Sequence, residues 1–130
     1  MGWSRRGTGR TERRLATSSV SALDEASVSF QSIAQWRDAG QLDALLRLSE
    51  HVWRDRAYGD VYAYMLLAEG RLEAVAEFDV KEYDIAAAVA IVTEAGGRMT
   101  AFDGSETISA RSTLATNGIL HDDFLRLLHD

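Results

Sequence analysis

Cysteine is absent from the 130 residues, and so is proline. Without cysteine there is no disulfide scaffold, no thiolate nucleophile and no cysteine zinc site. That composition suits a reducing compartment, and a cytoplasmic location is the expectation. Without proline, where about 5% is usual, the sequence loses one kind of punctuation. No apolar run approaches the roughly 18 residues of a membrane span, and no apolar stretch follows Met1. Neither a spanning helix nor a secretory signal is expected, and a membrane is not an expected partner.

Positive charge is scarce outside the N-terminus. Met1 to Arg14 holds Arg5, Arg6, Arg10, Arg13 and Arg14 against Glu12, a surplus of +4 that leaves −10 for the rest of a chain whose net charge is −6. An acidic body argues against nucleic acid as a partner, because a phosphate backbone needs a basic face. Residues 1–13 are read as a basic, solvated and mobile segment with an irregular start, and residues 14–130 as one domain, since this length supplies one core and not two. Hydrophobic residues at 46% and charged residues at 26% are ordinary for a soluble globular chain. There is no G-x-S-x-G elbow, and His51, His121 and His129 are too far apart for a metal pair, so each is read as a surface residue. Carboxylates are left as the reactive groups.

What is present concentrates in Glu77 to Gly104. Ile85, Ala88, Val89, Val92 and Ala95 share one face of a helix, with Ala86, Ala87, Ala90 and Ile91 filling much of the remainder, so burial on more than one side is expected. Gly96 and Gly97 stop the helix and turn the chain into a strand, Arg98 to Phe102, before an Asp103-Gly104 turn. Asp84 lies at the first helical turn. There a carboxylate can satisfy free backbone N–H groups and meet the helix dipole, or offer a hard oxygen to Mg²⁺. Glu77 reads equally as a solvated strand end or a site residue, and Asp60 as a helix cap or a site residue.

Around this centre, Arg14 to Val20, Ala26 to Ser32, Leu72 to Phe78 and Ser112 to Thr116 have strand patterning, and Trp53 to Tyr58 should be extended. Gln41 to Val52 predicts an amphipathic helix, Asp60 to Glu69 a second with Val61, Tyr64, Met65 and Ala68 inward, and His121 to His129 a last one with Phe124, Leu125, Leu127 and Leu128 inward. Asn117-Gly118 is a turn. The alternation predicts an α/β layered sandwich, a mixed sheet covered by helices.

Tyr83-Asp84-Ile85-Ala86-Ala87 followed by Glu94-Ala95-Gly96-Gly97 resembles the second signature of the inositol monophosphatase family, a W-D-x-A-A stretch running into E-A-G-G. Tyr83 replaces the usual Trp. The resemblance runs from about Arg14 to the end and implies the C-terminal half of that fold, Mg²⁺ as cofactor and a small phosphomonoester as substrate. It implies Asp84 as a metal ligand, with Glu77, Asp60 and Gly59 on the substrate wall. Arg56-Ala57-Tyr58-Gly59-Asp60 looks more like the histidinol-phosphate phosphatase branch, where an added carboxylate would favour an ammonium-bearing alcohol. The family's D-P-x-D-G-T motif and first glutamate ligand have no counterpart here. The expectation is therefore a truncated or split enzyme, inactive alone and needing a complementary N-terminal half, or else a non-catalytic module that self-associates or binds a full-length homologue.

Overall fold

The computed structural model describes residues 3–6, 11–58, 60–78, 82–105 and 112–129, with the side chains of 3–6, 11–14, 60–61 and 82–84 outside the description. Two short strands, β1 (Trp3–Arg6) and β2 (Thr11–Arg14), form an antiparallel pair. The body is built on a five-stranded sheet of β3 (Ser27–Ser29), β4 (Arg54–Arg56), β5 (Ala74–Phe78), β6 (Arg98–Thr100) and β7 (Ser112–Thr116), in the order β4-β3-β5-β7-β6. β3 runs parallel to both β4 and β5, whereas β7 is antiparallel to β5 and β6. The mixed sheet covered by helices agrees with the sequence.

Strand periodicity sorts the side chains onto two faces. Ala74, Ala76 and Phe78 of β5 point to one core, with Trp36 of α1 (Ile33–Asp38), Leu45 and Leu48 of α2 (Leu42–His51), and Phe124, Leu127 and Leu128 of α5 (His121–His129). Val75 and Ala115 point to the other, against Tyr64 and Leu67 of α3 (Asp60–Ala68) and Ile85, Ala88 and Val92 of α4 (Glu82–Glu94). The result is a helix–sheet–helix sandwich whose central strand is buried along its whole length. Trp36 anchors the first core. Its ring meets Phe78 edge-on at 5.0 Å and Phe102 at 5.5 Å, and its indole N–H donates to the Phe30 carbonyl, so the polar edge is satisfied as the body is buried.

Several sequence expectations change. Ile33 to Asp38 was assigned no helix, yet it forms α1, capped by the Ser32 hydroxyl accepting from Gln35 N–H. Six residues are too few to show helical periodicity, and Trp36 fixes the segment by packing. Arg14 to Val20 is not a strand. Leu15 to Val20 is an irregular strap, with Thr17 N–H donating to Ala95 O and the Asn117 amide donating to the carbonyls of Ser18 and Val20. The N-terminal start is paired where an irregular one was expected, with Arg5 opposite Glu12 in the register.

α4 is buried on one side only. Ile85, Ala88, Val92 and Ala95 are inside, whereas Ala86, Ala87 and Ala90 face solvent. Alanine favours helix without demanding burial, so an all-apolar stretch of this kind need not be enclosed. Gly96 has a φ of +97° and ends the helix as expected. Gly97 is set by contact: a Cβ there would lie 2.4 Å from Thr116 O. Among the described residues, no helix is long and apolar enough to cross a membrane.

Candidate active site

Because β3, β4 and β5 are parallel, their carboxyl ends share one edge of the sheet, and the helices that follow β4 and β5 begin there. Open α/β sheets place ligands at this edge, where free backbone N–H groups of helix starts and strand-end side chains converge. Three of the four residues expected at the site lie along it. Asp60 opens α3, Asp84 is the third residue of α4, and Glu77 is the fourth residue of β5. Gly59 lies outside the described residues, as do the side chains of Asp60 and Asp84.

Glu77 is not the solvated strand end that the sequence also permitted. It is 5% exposed and follows Val75 onto the face covered by α3 and α4. Its partner across the ladder is Thr113, whose hydroxyl lies 3.1 Å from the Tyr64 phenol on α3. A carboxylate is rarely buried unless polar groups or charges meet it, and here buried hydroxyls line its surroundings. The loop before α3 is fastened to β3: Ser29 Oγ donates to Tyr58 O and accepts Tyr58 N–H, both at 3.1 Å. On the other face Gln35 Oε1 accepts Phe78 N–H at 3.3 Å, tying α1 to the end of β5. The last of these bonds holds the backbone next to Glu77.

Asp84 and Glu77 are carboxylates, the hard oxygen donors that Mg²⁺ takes. Among the described residues, however, no group of three histidine, aspartate or glutamate side chains gathers where a metal could sit. The donor type fits Mg²⁺, but the described side chains do not complete a centre.

The histidines divide differently from the expectation. His51 is exposed and bonds back to Arg47 O, and the exposed His129 meets Phe102 O. His121 is fully buried at the opposite edge of the sheet, with Nε2 2.8 Å from Thr100 Oγ1 and Nδ1 2.9 Å from Thr116 Oγ1. Thr100 donates its hydroxyl to Ala101 O, and Gly118 N–H donates to Thr116 Oγ1. The network is complete when Nε2–H donates to Thr100 and Nδ1 accepts from Thr116, which is the neutral ring. Burial and then the Arg98 guanidinium lower its pKa to about 4, against an opposing pull from Asp122. It is a structural group, and sequence gave no sign of its burial.

The inositol monophosphatase family model matches residues 1–130. The chain belongs to that family. It is 43% identical over 125 residues to a histidinol-phosphatase of Streptomyces coelicolor, covering 94% of this chain and 47% of the relative. A histidinol-phosphatase of Mycobacterium tuberculosis is 44% identical over 121 residues, covering 93% and 46%. An inositol monophosphatase structure from Anabaena (Nostoc) sp. superposes with a TM-score of 0.80 at 28% identity, over 95% of this chain and 51% of that one. The chain thus spans about half the length of the relatives it matches.

Sequence reading missed Gln31 at this edge. Ala26 to Ser32, Gln31 included, was read as one strand, whereas β3 covers only Ser27–Ser29, and nothing in the residue types marks the backbone turn at Gln31.

Proposed function

We propose that this chain contributes the substrate wall and one metal ligand of a Mg²⁺-dependent phosphomonoester hydrolase, with histidinol phosphate as the favoured type of substrate. The observation that carries this reading is the buried Glu77 carboxylate at the edge where α3 opens with Asp60 and α4 carries Asp84 in its first turn. A buried carboxylate on an edge that also carries Asp60 favours an ammonium-bearing alcohol over a neutral polyol, through charge-assisted hydrogen bonds. The similarity to histidinol-phosphatases supports the same choice. Asp84 is the residue assigned to the metal. Mg²⁺, when bound, supplies charge stabilisation at the phosphoryl oxygens and a more acidic water. Glu77 and Asp60 hold the amine of the leaving alcohol, and the fixed backbone of β5 orients it.

One aspartate and one wall glutamate do not hold two Mg²⁺ ions. The remaining ligands would come from a complementary segment carrying the D-P-x-D-G-T motif, so the 130-residue chain by itself is inactive. A phosphatase assay with Mg²⁺, on the chain alone and mixed with the complementary half of a homologue, tests this. Turnover only in the mixture supports the proposal. Turnover by the chain alone would show that its metal ligands have been misassigned.

A second reading is a non-catalytic module that self-associates. It is favoured by Trp53, 62% exposed beside the edge strand β4. Inactivity in both assays, together with a concentration-dependent increase in mass by light scattering, would put this reading ahead.

A further inference from the structure

Among the described residues, Gln31 alone combines a side chain with a positive φ, +71°. Ser32 N–H donates across it to Phe30 O at 2.9 Å, which makes Gln31 the apex of the rare, strained form of γ-turn. Where the backbone turns left-handed elsewhere, at Gly40, Gly70, Gly96, Gly104 and Gly118, the sequence uses glycine. At position 31 it keeps a long polar side chain in a conformation that disfavours one. A second observation is independent of the first. Gln31 Oε1 is buried, and among the described residues no group donates to it. Buried acceptors are nearly always partnered, and an exception calls for an explanation.

Position supplies one. Ser29 is the last residue of β3 and pairs with Val75, so Gln31, just past the carboxyl end of β3, and Glu77, near the carboxyl end of the parallel β5, both belong to the edge described above. The turn is held from both sides. Phe30 N–H donates to Arg56 O at 2.9 Å, Phe30 O accepts the Trp36 indole N–H at 2.8 Å, and Ser32 Oγ caps α1. Strain persists only where surrounding bonds over-determine it, and such sites concentrate at ligand clamps.

We propose that Gln31 is a substrate-contacting residue, its amide oxygen accepting a hydrogen bond from the N–H or O–H group of the alcohol that Glu77 faces. This rests on the reading of the edge as a substrate wall. An amide oxygen suits the place: it accepts from an ammonium and adds no third negative charge beside Glu77 and Asp60.

The test is an NMR titration of the full 130-residue chain with L-histidinol, following the Gln31 side-chain amide and the Glu77 carboxyl carbon. The same titration is run on Gln31→Gly and Glu77→Gln, with melting temperatures for all. The expected result is that both signals move and that Gln31→Gly melts no lower than the parent while binding L-histidinol about tenfold more weakly. A lower melting temperature for Gln31→Gly, or unchanged affinity, overturns the proposal by showing that the side chain serves the turn or nothing. Movement at Glu77 without movement at Gln31 removes Gln31 and leaves the substrate wall standing. If Gln31 responds and Glu77→Gln binds as well as the parent, the contact stands and the ammonium wall falls. Silence at both positions removes both.

Discussion

The two edges of the sheet differ in how completely their buried polar groups are met. At the edge holding the amino end of β5, Glu73 Oε1 accepts Ser27 N–H at 2.6 Å and Asn117 N–H donates to Glu73 O. The Asn117 side chain reaches Ser18 and Val20 with its amide nitrogen and accepts Leu120 N–H. His121 uses both ring nitrogens. At the carboxyl edge, Gln31 Oε1 is buried in a strained turn without a donor among the described residues. A polar group buried for stability must be satisfied, because an unmet one costs about 1–3 kcal/mol. A group kept for a ligand is free of that requirement, which is the role proposed above for Gln31.

The comparison can be broken most severely at the closed edge. A Cβ at Gly97 would meet Thr116 O at 2.4 Å and Val92 Cγ1 at 2.8 Å, and a backbone carbonyl in a central ladder has nowhere to retreat. Gly97→Ala should cost about 3 kcal/mol or more, read from chemical denaturation. A loss under 1 kcal/mol would show that the packing between α4 and β7 yields easily.

His121 gives the same edge a pH dependence of nearly the same size. Its pKa is about 4 in the folded chain and 6.5 in the unfolded chain, so between those values the unfolded state binds more protons. Stability is therefore intact above pH 6.5, declines as pH falls through that window, and has lost about 3 kcal/mol below pH 4 from this residue. The ring-carbon NMR shift of His121 should stay that of neutral imidazole at pH 5. Titration near 6.5 would refute the assigned network.

Asn117→Ala should cost about 2 kcal/mol, since it strips the strap carbonyls and Leu120 N–H of their partner. The smallest effect belongs to the open edge. Asp84→Asn keeps a polar residue at the third position of α4 and should cost under about 0.5 kcal/mol, while Mg²⁺ affinity of the assembled site falls. If stability drops clearly and Mg²⁺ dependence does not change, Asp84 serves the helix and not the metal.

Much of the chain was legible beforehand because local chemistry repeats. Leu45 and Leu48 on α2, and Phe124, Leu127 and Leu128 on α5, fall at helical spacing and are buried as expected. Gly96 marked the end of α4 through its tolerance of positive φ. The paired Asp84 and Glu94-to-Gly97 motif indicated the family, and the family model confirms it. His121 was misread because a histidine beside two aspartates at a helix start looks solvated; only the threonines of β6 and β7, brought together by the antiparallel ladder, make a dry place for it.

The sequence by itself determined every described α-helix but α1, most strands, the alternation that yields a layered sheet and the acidic residue types available for chemistry. These follow from periodicity, glycine placement and composition, which act over a few residues. Tertiary structure decided which polar groups are buried and which edge holds the candidate site. Glu77 is enclosed on the face covered by α3 and α4, where β7 brings Thr113 opposite it and Thr113 meets Tyr64 of α3, contacts separated by 36 and 49 positions along the chain. Gln31 and Glu77 share an edge because β3 and β5 run parallel, a pairing across more than 40 residues that no local pattern encodes.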